Sequence, residues 1–269
     1  MKIMLLLCAL FTGSALYAQT PVVKVAILIY PGIDLQDFAG PADVFTKAAG
    51  ITQGQYQIYT VSLKQGIVYT AGHIGIQPDY TVQQLPKTDI LVIPGTPVQM
   101  IDSFGLKAFI EQYQDSVSVV MSVGTGTYLL AGAGLLDHQK ATTYYYVADD
   151  FANTFPKVTV VKDVRFVDEG NIITTVGIDG VLQLIQRYSG ERIAAMVARS
   201  MQYTPHREEV WPLAPAGLNA SQDADVVCGM IAVDKNSYAT HKGRNYFFCS
   251  EVCKKAFLMN PGRYILSNH

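Results

Sequence analysis

Three nearly unbroken apolar runs constrain this chain more than any other feature. Residues 22–30, 90–93 and 117–121 are rich in β-branched side chains, and the last two stop at Pro94-Gly95 and at Ser122. Such runs suit strands buried on both faces, the setting of parallel sheets, whereas a sheet with one wet face alternates apolar with polar residues. Helical patterns lie between and after them. Gly40-Pro41 opens one, with proline in a first turn where its missing N–H costs nothing, and Gly50 ends it. Residues 104–113 and 127–133 form two more. Apolar stripes at Ile178, Val181, Leu182, Ile185 and Tyr188, and at Ile193, Met196, Val197 and Met201, mark a fourth and a fifth. Strands alternating with helices predict an α/β fold, a doubly wound parallel sheet that takes ligands at the carboxyl ends of its strands.

The first residues combine Lys2, a short apolar run and small residues up to Ala18-Gln19, which predicts a secretory signal peptide over residues 1–18. That run is too short to span a bilayer, and Cys8 lies inside it and leaves with it. The expected location is the periplasm or the exterior, with no membrane insertion after cleavage. Without Lys2 the chain has 19 basic and 22 acidic residues, a net charge of -3 that favours neither nucleic acid nor an anionic membrane. At 269 residues and 49% hydrophobic composition, one sizeable domain and an appendage fit.

The appendage holds Cys228, Cys249 and Cys253 in a C-x20-C-x3-C pattern. A helix starting at Cys249 would place the last two sulfurs on one face, one turn apart. Thiolates are soft ligands, preferred by zinc and cuprous copper. A disulfide is the other reading in an oxidising compartment, although three cysteines leave one over.

Together with Gly243, Tyr246-Phe247-Phe248 and Asn260-Pro261-Gly262-Arg263-Tyr264, these cysteines make residues 225–264 resemble the YHS domain, a small treble-clef-like module of the TRASH zinc-ribbon type. The resemblance implies a soft metal, copper or zinc, on Cys228, Cys249 and Cys253. Met230, His241 or water would supply a fourth ligand; Met230 and His241 also read as structural residues.

A second set of motifs runs from residue 23 to residue 203. It comprises Tyr30-Pro31-Gly32-Ile33-Asp34 through Asp37 to Pro41, Ile93-Pro94-Gly95, Ser122-Val123-Gly124-Thr125-Gly126, Gly134-Leu135-Leu136-Asp137, Ala141-Thr142-Thr143 and Asp168-Glu169-Gly170. In this order they resemble the DJ-1/PfpI family, of the class I glutamine amidotransferase-like group, in the branch of the isonitrile hydratases and of the ligand-binding halves of some transcription regulators. The resemblance implies a flavodoxin-like fold. It also implies a cysteine after Ser122-Val123, held in a strained turn where a helix N-terminus lowers its pKa.

This chain has Gly124 there, which offers no nucleophile and accepts positive φ without steric cost. Tyr144-Tyr145-Tyr146 replaces a histidine frequent after Ala-Thr-Thr, and the loop from Thr174 to Gly180 reads about three residues short. Asp37 matches the family's acidic position, so it is either a proton-handling group, or a cap for the helix near Gly40-Pro41 or an acceptor for backbone amides. Asp34 reads as a turn residue. Ser122, Thr125 and Thr127 carry hydroxyls, but no motif places a histidine base beside them. His73, His138 and His206 read as hairpin, turn and linker residues.

The expected organisation is a signal peptide over 1–18, a DJ-1/PfpI domain over 22–204, a proline-rich linker over 205–222 containing Trp211, and a YHS domain over 223–266. The expected function is an exported pseudoenzyme that binds, delivers or senses a soft metal. Its large domain would hold a small molecule near Asp37 and Gly124, and assembly into a homo-oligomer is open. The alternative is a hydratase, hydrolase or lyase whose Asp37 activates water. A DNA-binding regulator is disfavoured by export and by the lack of a helix-turn-helix pattern after Tyr203.

Overall fold

A computed structural model of the chain describes residues 21–97, 105–205, 225–227, 237–248 and 251–265. The expected signal segment, His206, Trp211, Cys228, Met230 and Cys249 lie outside the described residues.

The large domain runs β1 (Val23–Leu28), α1 (Leu35–Ile51), β2 (Tyr56–Ser62), β3 (Val68–Tyr69), β4 (Gly75–Ile76), β5 (Tyr80–Thr81), β6 (Ile90–Ile93), α2 (Leu106–Tyr113), β7 (Val119–Val123) and α3 (Thr127–Gly132). It continues with β8 (Lys140–Ala141), α4 (Ala148–Thr154), β9 (Thr159–Val160), β10 (Phe166–Asp168), β11 (Ile172–Thr175), α5 (Asp179–Ser189) and α6 (Glu191–Ser200). The main sheet has the order β10-β11-β7-β6-β1-β2-β5. Its central pairs are parallel, with Ala26 beside Leu91, and Leu91 beside Val120. The edge strand β10 runs antiparallel to β11, so the sheet is mixed where the strand pattern predicts a wholly parallel one. A three-residue connection between β10 and β11 permits this hairpin, whereas a parallel pair would need a crossover.

The apolar runs owe their continuity to two separate cores. Ala26, Leu28, Leu91, Ile93 and Val120 face a cluster built with α2, α3 and α4. Their strand neighbours Val25, Ile27, Ile90, Val92 and Met121 face a second cluster built with α1, α5 and α6. Each residue of β6 and β7 is therefore inside, on one face or the other.

Helix α1 departs from its expected start. It begins at Leu35, because the Asp34 side chain accepts from the backbone N–H groups of Gln36 and Asp37 at 2.9 and 3.3 Å. Asp34 is thus the cap, and Asp37 sits in the first turn with its side chain free for other work. Pro41 lies inside the helix, where it removes the donor that Asp37's carbonyl would otherwise meet one turn on.

A third cluster belongs to the C-terminal module, which comprises β12 (Tyr238–His241), β13 (Arg244–Phe247), α7 (Glu251–Met259) and α8 (Pro261–Tyr264). Val227, Ala239, Tyr246, Phe248, Cys253 and Phe257 are buried together, with Tyr146 of the large domain packed against them. Phe257 lies one helical turn beyond Cys253, on the same face of α7.

Candidate functional site

Three adjacent parallel strands, β1, β6 and β7, deliver their carboxyl ends to one place, as a doubly wound sheet does. Beyond β1 the chain reaches Tyr30 and Asp37, beyond β6 Pro94-Gly95, and beyond β7 Gly124. Gly124 begins the tight turn that leads into α3 and has φ +57°, a backbone that favours glycine. Hydroxyl groups secure this elbow. Thr143 Oγ1 donates to the Gly124 carbonyl at 3.0 Å. Thr127 Oγ1 lies 3.1 Å from the same oxygen, 3.0 Å from the Thr142 carbonyl and 2.9 Å from Ser122 Oγ. Thr125 Oγ1 donates to the Thr96 carbonyl at 2.6 Å and accepts from the Thr96 N–H at 2.9 Å. All three candidate hydroxyls are therefore committed to holding backbone or one another. The described histidines sit elsewhere: His73 in the β3–β4 turn and His138 in the turn after α3, both with positive φ, and His241 in β12.

The Asp37 carboxyl occupies the room a side chain at residue 124 would need. Its Oδ2 accepts from the Gly95 N–H at 3.1 Å. A Cβ built on Gly124 would stand 2.3 Å from that same oxygen, and one on Gly95 would stand 2.5 Å from it. Residues 95 and 124 must both be glycine while the carboxyl stays there. Burial and the neighbouring Asp34 carboxylate push Asp37 up to about 7, against the lowering effect of the Gly95 hydrogen bond. The Tyr30 phenol, which donates to the Pro94 carbonyl, is raised by burial and by Asp37. The arrangement can hold or release one proton near neutral pH and has no thiol at the elbow. The capping role expected of Asp37 falls to Asp34, whose spacing three residues ahead of an acidic first turn is the signal for it, while Asp37 meets the other expectation by accepting from the Gly95 backbone amide.

Of the expected metal ligands, Cys253 is buried in α7 and only 6% exposed, inside the third cluster. The His241 ring meets Phe257 edge-on at 6.1 Å between centroids. Cys228, Cys249 and Met230 lie outside the described residues, and among the described residues no three His, Cys, Asp or Glu side chains converge as a metal site. A cleft of about 820 Å³ lies away from Asp37 and Gly124, between α5 and α6, lined by Leu182, Gln186, Ala194, Arg199 and Tyr203 among others. At its wall the buried Asp179 accepts from the Tyr203 hydroxyl at 2.6 Å.

The elbow and sheet define a class, α/β proteins with a sharp strand-to-helix turn at the carboxyl end of a central parallel strand. The chain belongs to the DJ-1/PfpI family, whose model matches residues 23–190, and a YHS domain matches residues 224–267. It is similar to an isonitrile hydratase from Pseudomonas putida, 28% identical over 188 residues, which cover 68% of this chain and 79% of the relative. It is also similar to the HTH-type transcriptional regulator CdhR from Pseudomonas aeruginosa, 25% identical over 64% of this chain and spanning about half (52%) of the regulator. Among solved structures, a THiJ/PfpI family protein from Pseudomonas syringae superposes with a TM-score of 0.61 at 25% identity, over 74% of this chain and 80% of that one.

Proposed function

We propose that this is an exported, non-catalytic DJ-1/PfpI protein whose YHS domain, a treble-clef-like module, binds a soft metal through Cys228, Cys249 and Cys253, for metal binding, delivery or sensing. The observation that carries the non-catalytic half is the elbow itself: Gly124 bears no side chain, and the hydroxyls of Ser122, Thr125 and Thr127 are bonded to backbone or to one another. Support for the metal half comes from the YHS match, the soft donor chemistry of three thiols, and the burial of Cys253 among aromatic rings. A thiol in such surroundings is shielded from bulk solvent, which suits a closed structural or carrier site. Export rests on the signal-like first residues, and a periplasmic or secreted location goes with it.

The test is metal content and free-thiol count on the full chain purified without oxidant, beside a Cys249→Ser/Cys253→Ser variant. About one equivalent of copper or zinc, lost in the variant, is the expected result. No metal, with two of the three cysteines joined, would make the module structural or redox-active instead.

A second reading has its own observation, the carboxyl held near a neutral pKa at the family's acidic position. Asp37 would then act as a general base or acid on water or substrate, with no covalent intermediate. An organic isonitrile, named by the Pseudomonas putida relative, is the first substrate class to assay. Turnover abolished by Asp37→Asn and indifferent to loss of the thiols would favour this reading.

A further inference from the structure

Residues 142–146 touch both sites. On the elbow side, the Thr142 N–H donates to Thr174 Oγ1 at 2.8 Å and Thr143 Oγ1 donates to the Gly124 carbonyl at 3.0 Å, both buried. These bonds tie the segment to β11 and to the elbow. The next three residues are Tyr144, Tyr145 and Tyr146, whose rings cluster, with Tyr144 4.8 Å from Tyr145 and 6.4 Å from Tyr146 between centroids. Tyr146 packs against the C-terminal cluster that contains Cys253, Phe248 and Phe257. The Tyr145 hydroxyl lies 3.5 Å from the Val227 carbonyl, a distance too long to carry much energy by itself. Two residues therefore separate a group bonded to the elbow from a group packed on the module.

We propose that the Tyr144-Tyr145-Tyr146 segment is the docking surface for the C-terminal module, and that through it the metal state of the module is coupled to the elbow at Gly124. The coupling rests on the metal-binding reading above; the docking does not. Its physical basis is the size of the module. About 40 residues bury too little surface for firm independent stability, so a bound metal adds directly to the folding of the module. Only the folded module presents the packed face of Phe248, Cys253 and Phe257 to Tyr146. Metal that stabilises this face stabilises the docked segment, and by linkage an elbow that holds the segment in place favours the metal-loaded module by the same factor.

The experiment is hydrogen exchange on the full chain, without metal and with zinc(II), or with copper(I) under reducing conditions, and metal binding measured separately. The expected result is that metal slows exchange both in α7 and in residues 142–147. In Tyr146→Ala the effect on residues 142–147 should fall about fivefold while α7 still responds, since one half-buried ring contact is worth roughly a factor of five. Tyr146→Phe, which retains the ring, should keep most of the effect, and Tyr238→Ala, on the exposed face of β12, should change nothing at residues 142–147. Metal bound with no change at residues 142–147 in the wild-type chain overturns the coupling without touching the metal reading. If no metal binds, the metal reading fails and the coupling with it. The docking is then judged on the metal-free chain: faster exchange in both segments in Tyr146→Ala supports it, and unchanged exchange overturns it.

Discussion

The elbow at Gly124 and the cluster around Cys253 have opposite endowments. The elbow has the geometry that sulfur chemistry uses: positive φ, the start of a helix and a ring of hydroxyls holding the turn. It has no sulfur. The C-terminal cluster has a buried sulfur amid aromatic rings, with Phe257 5.0 Å from Tyr246 and 5.2 Å from Phe248 between centroids. In the large domain the room left by an absent side chain is filled by a carboxyl that belongs to another helix. The same backbone geometry can therefore stand with or without a thiol in it, and function has to be read from the atoms in the site rather than from the fold.

The sharpest way to separate the two regions is Phe257→Ala. Phe257 is fully buried, and its loss should cost about 3–5 kcal/mol, roughly all that a core of this size supplies. Protection of α7 should vanish while thermal melting of the large domain stays close to wild type. A common fall in both transitions would break the comparison by making them one cooperative unit. The elbow's counterpart is Gly124→Ala, expected to cost about 1–3 kcal/mol through the left-handed backbone and the 2.3 Å approach to Asp37 Oδ2. Adding Asp37→Ala should recover part of that loss in denaturant melts, because the clash needs both partners. Strict additivity of the two substitutions would show that the carboxyl does not occupy the space.

Much of this was legible in the residues. The runs at 90–93 and 117–121 gave the central strands, since burial on both faces leaves an unmistakable apolar block, and the stripes from Ile178 and Ile193 gave α5 and α6 close to their observed bounds. The start of α1 was misplaced because Gly40-Pro41 imitates a helix opening, while the Asp34 cap six residues earlier carries a weaker signal. The absent nucleophile at Gly124 was visible, but the Asp37 carboxyl filling its place was not. That relation joins residues 87 positions apart and exists only once β1, β6 and β7 lie side by side. Contact between Tyr146 and the module was invisible for the same reason.

The smaller effects probe the electrostatics that set the elbow apart. Asp37 is ordinarily a carboxyl of pKa near 4, and in the fold it is pushed up to about 7. Between these values the folded state holds a proton that the unfolded chain has lost, so stability from this group is greatest at low pH and falls as pH rises from about 4 to about 7. Each pH unit is worth at most about 1.4 kcal/mol, reduced by the carboxyl's partial exposure. Asp37→Asn, neutral and close in shape, should flatten that slope in melts across the range. An unchanged slope would mean that the carboxyl is ionised in place.

Asp34 separates charge from capping in the same carboxyl pair. Asp34→Ala removes the acceptor for Gln36 and Asp37 N–H and should cost about 1 kcal/mol, whereas Asp34→Asn retains an acceptor oxygen and should cost much less. Both substitutions remove the negative neighbour that helps raise Asp37, so both should move the upper end of the pH slope below about 7 by a similar amount. If only the alanine variant moves it, the shift comes from loosening the first turn of α1, and the proton at the elbow is governed by position rather than by charge.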